Sequence, residues 1–307
     1  MKVVFMGTAD FGVPTLDIIH QSDAFEIAGI VTAADKFGGR GRKQLLQSPV
    51  KVYALEHNLP LLQPTNLKDE DFLKSIASWE ADIFVVVAFR MLPKVVWAMP
   101  PMGTVNLHGS LLPKYRGAAP INWAIINGEK ESGVTTFMID DKIDTGHILL
   151  KASTEILPVD TAGTLHDRLM GVGAQLMFDT LIGLKNNTLK PQPQDENEVT
   201  HAPKLFKHNT EIDPKLSGQK IINFIRGLSP YPGAWLPLEH TELKIFSAKL
   251  ADAPQSDEAG DKTVFIHDKT LYMTTGDGCI EIIQAQIAGK RRMSGTDIAN
   301  GHRSLFD

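Results

Sequence analysis

Two polar residues at the end of an apolar run carry the first chemical signal in this chain. Val105-Asn106-Leu107 reads as the close of a buried strand, and His108 follows. Side chains alternate along a strand, so Asn106 and His108, two residues apart, fall on one face. In parallel α/β sheets, ligands sit where strands end and loops begin. An amide and an imidazole meeting there suit a developing oxyanion, one as a fixed neutral donor and the other as a donor that can carry an extra proton. Asp144, in the run Asp140-Asp141-Lys142-Ile143-Asp144-Thr145-Gly146, would fix the orientation of such an imidazole and stabilise its charged form. An Asn-x-His pair alone is usually a satisfied turn, so the elements that would position these three residues decide what the pattern means.

Those elements read as α/β. Lys2 to Met6 is an apolar strand, followed by a glycine-containing turn and an apolar-periodic helix near Val13 to His20. A strand over Phe25 to Thr32, a polar glycine-rich loop from Ala33 to about Gln47, a helix from Pro49 through Glu56, a short strand from Leu59 to Gln63 and a helix from Asp69 to Ser78 follow. Asp82 to Ala88 is a continuous apolar strand of the kind buried on both faces, and Gly103 to Leu107 is the next. This alternation predicts a doubly wound, mostly parallel sheet of Rossmann-like type, closed by a long helix over Thr164 to Lys185. Lys190 to Pro203 is polar and proline-bearing, with the acidic run Asp195-Glu196-Asn197-Glu198, a linker composition. Beyond it, a helix over Ile221 to Leu228 and short strand-like runs at 234–238, 243–248, 263–267, 270–274 and 278–286 predict a small OB-like β-barrel. The expected division is a first domain over 1–189, a linker over 190–207 and a second domain over 208–307.

Composition narrows the function classes. Hydrophobic content of 43% and charged content of 22% are those of a soluble globular protein, and no apolar run reaches membrane-spanning length. The short apolar start reads as a strand rather than a signal peptide, so a cytoplasmic protein without a membrane partner is expected. The one cysteine, Cys279, excludes an intrachain disulfide and argues against a thiolate metal site. With no His-Glu-x-x-His and no Walker A sequence, no metal is expected. Gly7-Thr8-Ala9-Asp10-Phe11-Gly12 has the spacing of a dinucleotide fingerprint, and Asp35 lies where a ribose-binding acid would. These make an NAD-dependent oxidoreductase the rival reading, but Ala9 replaces the middle glycine that lets backbone approach a pyrophosphate, and this counts against it.

The block from Asn106-Leu107-His108-Gly109-Ser110-Leu111-Leu112-Pro113 through Lys114-Tyr115-Arg116-Gly117-Ala118-Ala119-Pro120-Ile121, with Asp144 downstream, resembles the 10-formyltetrahydrofolate-dependent formyltransferase family. The resemblance implies a catalytic triad of Asn106, His108 and Asp144, and 10-formyltetrahydrofolate as cosubstrate. It places Ser110, Leu111, Leu112 and Pro113 on the folate-binding segment. Phe89, Arg90, Met91 and Leu92, continuing from the Asp82–Ala88 strand, are expected to supply main chain for the pterin edge and an apolar wall. Tyr115 and Arg116 could be loop packing and a surface charge, or could shape the entrance.

The acceptor amine is a separate question, because members of the family act on different amines. Phe37-Gly38-Gly39-Arg40-Gly41-Arg42-Lys43 resembles the inserted loop of those members that formylate methionyl-tRNA. That likeness implies Arg40, Arg42 and Lys43 as contacts to a methionyl-initiator tRNA. Lys290, Arg291 and Arg292 would give the second domain a phosphate-facing patch. From residue 201 onward, basic and acidic residues number 13 each, so RNA affinity there would rest on a local patch rather than on net charge. The chain is expected to be a monomer. The alternative within the class is an enzyme for a small-molecule, sugar-nucleotide amine, which would have no need of the Arg40 loop.

Overall fold

The computed structural model describes residues 1–38, 44–252 and 262–306. In chain order the elements are β1 (Lys2–Gly7), α1 (Val13–His20), β2 (Glu26–Val31), β3 (Lys36–Gly38), β4 (Gln44–Leu46), α2 (Pro49–Glu56), β5 (Leu61–Leu62), α3 (Glu70–Ala77), β6 (Ile83–Val87), α4 (Lys94–Trp97), β7 (Thr104–His108) and β8 (Arg116–Gly117). They continue with α5 (Pro120–Ile126), β9 (Glu131–Met138), β10 (Ile148–Glu155), α6 (Ala162–Lys185), β11 (His201–Ala202), α7 (Gly218–Leu228), β12 (Ala234–Leu238), β13 (Thr241–Ala251), β14 (Val264–His267), β15 (Thr270–Thr275), β16 (Gly278–Ile287), β17 (Met293–Ser294) and α8 (Gly295–Gly301). Contacts divide the chain into two compact units, one of residues 1–117, 132–154 and 166–201, the other of residues 118–131, 155–165 and 202–307.

The first unit is built on a seven-stranded sheet in the order β10-β9-β7-β6-β1-β2-β5. Strands β5, β2, β1, β6 and β7 are parallel, and β9 runs antiparallel to β7. The runs Val3–Met6 and Ile83–Val87 are buried throughout, as continuous apolar strands between covered faces must be. Each large apolar side chain sequestered there stabilises the fold by about 1.5–3 kcal/mol. Helix starts follow local chemistry. Ser48 caps α2 by accepting the Lys51 N–H at 3.0 Å, with Pro49 in the first turn. Asp69 caps α3 by accepting the Phe72 N–H at 3.0 Å. The strand order reverses direction between β1 and β6, so the carboxyl ends of β1, β6 and β7 lie side by side, where open α/β sheets bind ligands.

Three stretches differ from the sequence reading. The arms of the 33–47 loop pair as the hairpin β3–β4, with Phe37 opposite Leu45. Residues 190–201, whose composition reads as linker, are hydrogen-bonded into the first unit, with Ile148 and Gln192 exchanging main-chain bonds of 2.7 and 2.8 Å. Strand β9 carries Thr135 and Thr136 at fully buried positions, and such polar residues hide a strand from a hydrophobicity pattern.

In the second unit, strands pair antiparallel in the order β12-β13-β16-β15-β14, with β17 beside β16. These strands make up the small sheet expected of the second domain. Its apolar face packs on α7, whose Ile221, Ile222, Ile225 and Leu228 recur at helical spacing and meet Leu243, Ile245, Ile280 and Ile282. Helix α5 packs on α7 in this unit, tied by the Asn122 amide to the Gly227 carbonyl at 2.7 Å.

Candidate active site

The end of β7 is held on both sides. Parallel pairing puts Val86 of β6 opposite Asn106, and antiparallel pairing puts Thr135 of β9 opposite His108. Leu107 between them is 3% exposed and belongs to the core, so the pleat turns Asn106 and His108 to the other face. Asn106 is half-buried, and among the described residues none hydrogen-bonds to its side-chain amide. An amide held at a strand end without a protein partner has its donors available to a ligand.

His108 is buried. Its Nε2 lies 2.9 Å from the carbonyl oxygen of Tyr115. A carbonyl only accepts, so Nε2 carries the hydrogen and the neutral ring presents Nδ1 as a lone pair. Nδ1 lies 3.7 Å from Oδ2 of Asp144, with the two side chains only 7% and 12% exposed. That separation is too long for a hydrogen bond but within ion-pair range once Nδ1 is protonated, and at this burial the attraction is weakly screened. The structure therefore brings His108 and Asp144 together and places Asn106 two residues away on the same strand.

Asp144 is fixed by its surroundings. It adopts the left-handed region at φ 56°, an arrangement that costs a non-glycine residue about 1–3 kcal/mol and persists where neighbours over-determine it. Its Oδ2 accepts the Gly117 N–H at 2.8 Å. Its main-chain carbonyl accepts from Nε2 of Gln194 at 2.9 Å, and the same nitrogen bonds the Gly146 carbonyl at 2.9 Å. Gly146 itself is required, because a Cβ there would sit 1.6 Å from the Met138 carbonyl oxygen. Gln194 is in turn held by Arg116, whose Nε and Nη2 donate to its Oε1 at 3.0 and 2.8 Å. Arg116 is a buried cation, 7% exposed, and pairs with Glu196 at 2.8 Å. The hydrogen bond from Arg116 holds the Glu196 carboxyl below its usual range. Arg116 thus serves the Asp144 loop and is no surface charge. Gln194 was not foreseeable, since it sits in a segment whose composition signals only a linker.

Of the folate candidates, Ser110 is buried and donates its hydroxyl to the Lys114 carbonyl at 2.6 Å. Thr135 binds the loop twice, accepting the Leu112 N–H at 3.0 Å and donating to the Ser110 carbonyl at 2.6 Å. Leu111 is half-buried and Pro113 buried. The side chain of Leu112 packs with Phe137 and Ile148, and that of Leu92 packs with Val86 and Val96, so both belong to the core. Phe89 leans on the latter cluster. Arg90 donates to the carbonyls of Pro64 and Thr65. Met91, four residues beyond the end of β6, is 70% exposed.

The RNA candidates Arg40, Arg42 and Lys43 lie outside the described residues. In the second unit Lys290, Arg291 and Arg292 are exposed. Arg292 is anchored, with its guanidinium 3.4 Å from the centre of the Phe246 ring and Nη2 3.4 Å from the Pro230 carbonyl. Asp35, the ribose acid of the rival reading, is taken by Lys51 at 2.6 Å and by the Gln63 amide at 2.9 Å, and these partners hold its carboxyl below the usual value. Among the described residues no group of three or more His, Cys, Asp or Glu side chains is arranged to hold a metal.

Comparison with known families accounts for both units. The formyl transferase profile matches residues 1–181, and the formyl transferase C-terminal domain profile matches residues 204–303. The chain belongs to the formyl transferase family. A methionyl-tRNA formyltransferase of Flavobacterium johnsoniae is 50% identical over 306 residues, covering 98% of this chain and 96% of that protein. Among solved structures, a methionyl-tRNA formyltransferase from Clostridium thermocellum superposes with a TM-score of 0.56 at 18% identity, over 82% of this chain and 94% of that one. A sugar 3N-formyl transferase determined with dTDP and 5-N-formyl-THF superposes with a TM-score of 0.66 at 23% identity, over 95% and 99%. At those identities the two structures share the fold.

Proposed function

We propose that this enzyme transfers the formyl group of 10-formyltetrahydrofolate to the α-amino group of methionyl-initiator tRNA, in the cytoplasm where translation begins. The chemistry is carried by the His108–Asp144 pair beside the amide of Asn106, to which none of the described residues hydrogen-bonds. The amine nitrogen attacks the formyl carbon, the carbonyl oxygen becomes negative, and the amine must lose a proton before folate N10 leaves. The Asn106 amide supplies a fixed donor to that oxygen. Because Nε2 of His108 is committed to Tyr115, its other ring atom, Nδ1, holds and moves the proton, and Asp144 balances the imidazolium charge. Met91, Ser110 and the main chain of Phe89, Arg90 and Leu92 border the folate.

Methionyl-tRNA is favoured over a sugar amine by 50% identity along nearly the whole chain to a protein of that name. Arg40, Arg42, Lys43, Lys290, Arg291 and Arg292 are the proposed RNA contacts. The test is transfer of labelled formyl from 10-formyltetrahydrofolate to initiator and elongator methionyl-tRNA in parallel. Transfer to the initiator alone is expected. No transfer to either RNA by folded, folate-binding protein would move the acceptor to a small-molecule amine.

A further inference from the structure

We infer that Gln194 is a positioning residue for the acid–base pair, acting through Asp144. The inference rests on the triad reading above. A carboxylate that must face an imidazole needs its main chain fixed, and Asp144 sits in a backbone region that most residues avoid. One amide group secures it. Gln194 Nε2 spans the carbonyls of Asp144 and Gly146, which flank Thr145, at 2.9 Å each. The amide orientation follows from chemistry, since the two carbonyls can only accept and the two Arg116 groups at Oε1 can only donate. A flipped amide would lose all four bonds. Arg116 cannot drift either, being buried and paired with Glu196.

The same segment reaches His108. Thr200 accepts the Tyr115 N–H on Oγ1 at 2.8 Å and the Arg116 N–H on its carbonyl at 2.9 Å. Tyr115, at φ 62°, then aims its carbonyl at Nε2 of His108. Residues 192–200 therefore form a strap behind the site. Gln192 sets its register on Ile148, Gln194 fixes the acid, and Thr200 fixes the acceptor that holds the imidazole. The His108–Asp144 separation of 3.7 Å is held by two anchors, Gln194 and Thr200, on one segment that carries a 3-10 turn at Glu196–Glu198.

The experiment compares Gln194→Met, Gln194→Glu and Asp144→Asn in the full chain. It reads kcat and KM for tRNA and folate, a thermal melt, and heteronuclear NMR of the His108 ring. Methionine keeps the length and removes every hydrogen bond. Glutamate keeps the acceptor for Arg116 and turns an oxygen toward the two carbonyls. Both are expected to lower kcat about 10- to 100-fold, the scale of a misplacement near 1 Å. KM values should stay within about twofold of the parent, the melting temperature should fall while the protein stays folded at the assay temperature, and the Nδ1 resonance should move as it does in Asp144→Asn. Parental kcat in both Gln194 variants, alongside an impaired Asp144→Asn, overturns the inference and leaves the triad standing. Loss of kcat that only tracks a lowered melting temperature in both variants also overturns it. Should Gln194→Met fail to fold, Gln194→Glu decides. Parental turnover in Asp144→Asn removes the triad reading, and the inference with it.

Discussion

His108 donates its Nε2 hydrogen to the carbonyl of Tyr115, seven residues further on, and that bond makes Nδ1 the ring atom that faces Asp144. The neutral imidazole must therefore hold the Nε2–H tautomer, the less common choice being excluded by an acceptor that cannot donate. NMR of the labelled ring at a pH where it is neutral should show hydrogen on Nε2 and none on Nδ1. The opposite tautomer would mean that Asp144 takes the hydrogen in the resting enzyme and that Nδ1 is not the proton-transfer atom.

Asn106→Ala should lower kcat by about 10²–10³, near 3–4 kcal/mol, the usual result of deleting one oxyanion donor. Stability should barely change, because among the described residues no group hydrogen-bonds to that amide. Near-parental turnover by the folded variant would exclude Asn106 from the chemistry.

Thr135→Val tests what holds the Ser110–Pro113 loop. The substitution keeps shape but leaves the Leu112 N–H and the Ser110 carbonyl without the partner that Oγ1 gives both. Stranding buried polar groups costs about 1–3 kcal/mol each. Denaturant titration should show a loss of about 2 kcal/mol or more, and folate affinity should fall with it, whereas Thr135→Ser keeps the hydroxyl and most of both. Unchanged folate affinity in a destabilised Thr135→Val protein would detach this loop from folate binding.

The first unit's strands and helices were legible because each obeys local chemistry. Ile83–Val87 announces a buried strand, and Ser48-Pro49 and Asp69 announce helix starts. The catalytic candidates were legible for a different reason, that Asn106 and His108 are polar where an apolar strand runs out. What holds them was not legible. Gln194 and Thr200 bond to residues 50 and 85 positions away, and nothing in Lys190–Pro203 marks that segment as anything but a polar connector. Strand β9 was obscured because its interior carries Thr135 and Thr136, buried threonines whose hydroxyls bind loop and helix rather than water.

Gly146→Ala should not be tolerated. The added carbon would meet the Met138 carbonyl oxygen at 1.6 Å, a main-chain atom of β9 that cannot swing aside. The loop carrying Asp144 would have to move or β9 would have to bend, at a cost of about 3 kcal/mol or more. A melt should show the loss. A stable Gly146→Ala protein with parental turnover would mean that the loop is freer than its three anchors imply.

The second unit should lose stability in acid through Asp277. Ser217 at the start of α7 makes no side-chain cap. Instead, Asp277 from the β15–β16 turn accepts the Gly218 N–H at 2.7 Å and the Thr275 hydroxyl at 3.0 Å. These bonds, the Gly218 one first, hold its carboxyl below the ordinary aspartate value of 3.8. A carboxyl with a lower pKa in the folded state binds fewer protons there than in the unfolded chain, so its contribution is complete above the ordinary value and fades as pH falls through the lowered one. Asp277→Asn, which can still accept a hydrogen bond but carries no charge, should be less stable than the parent at neutral pH. The gap between their denaturation midpoints should narrow on going from pH near 7 to pH near 3, the window below which the parental carboxyl becomes protonated. A gap that stays constant over that range would mean that the cap acts through geometry alone and that the charge on Asp277 contributes nothing.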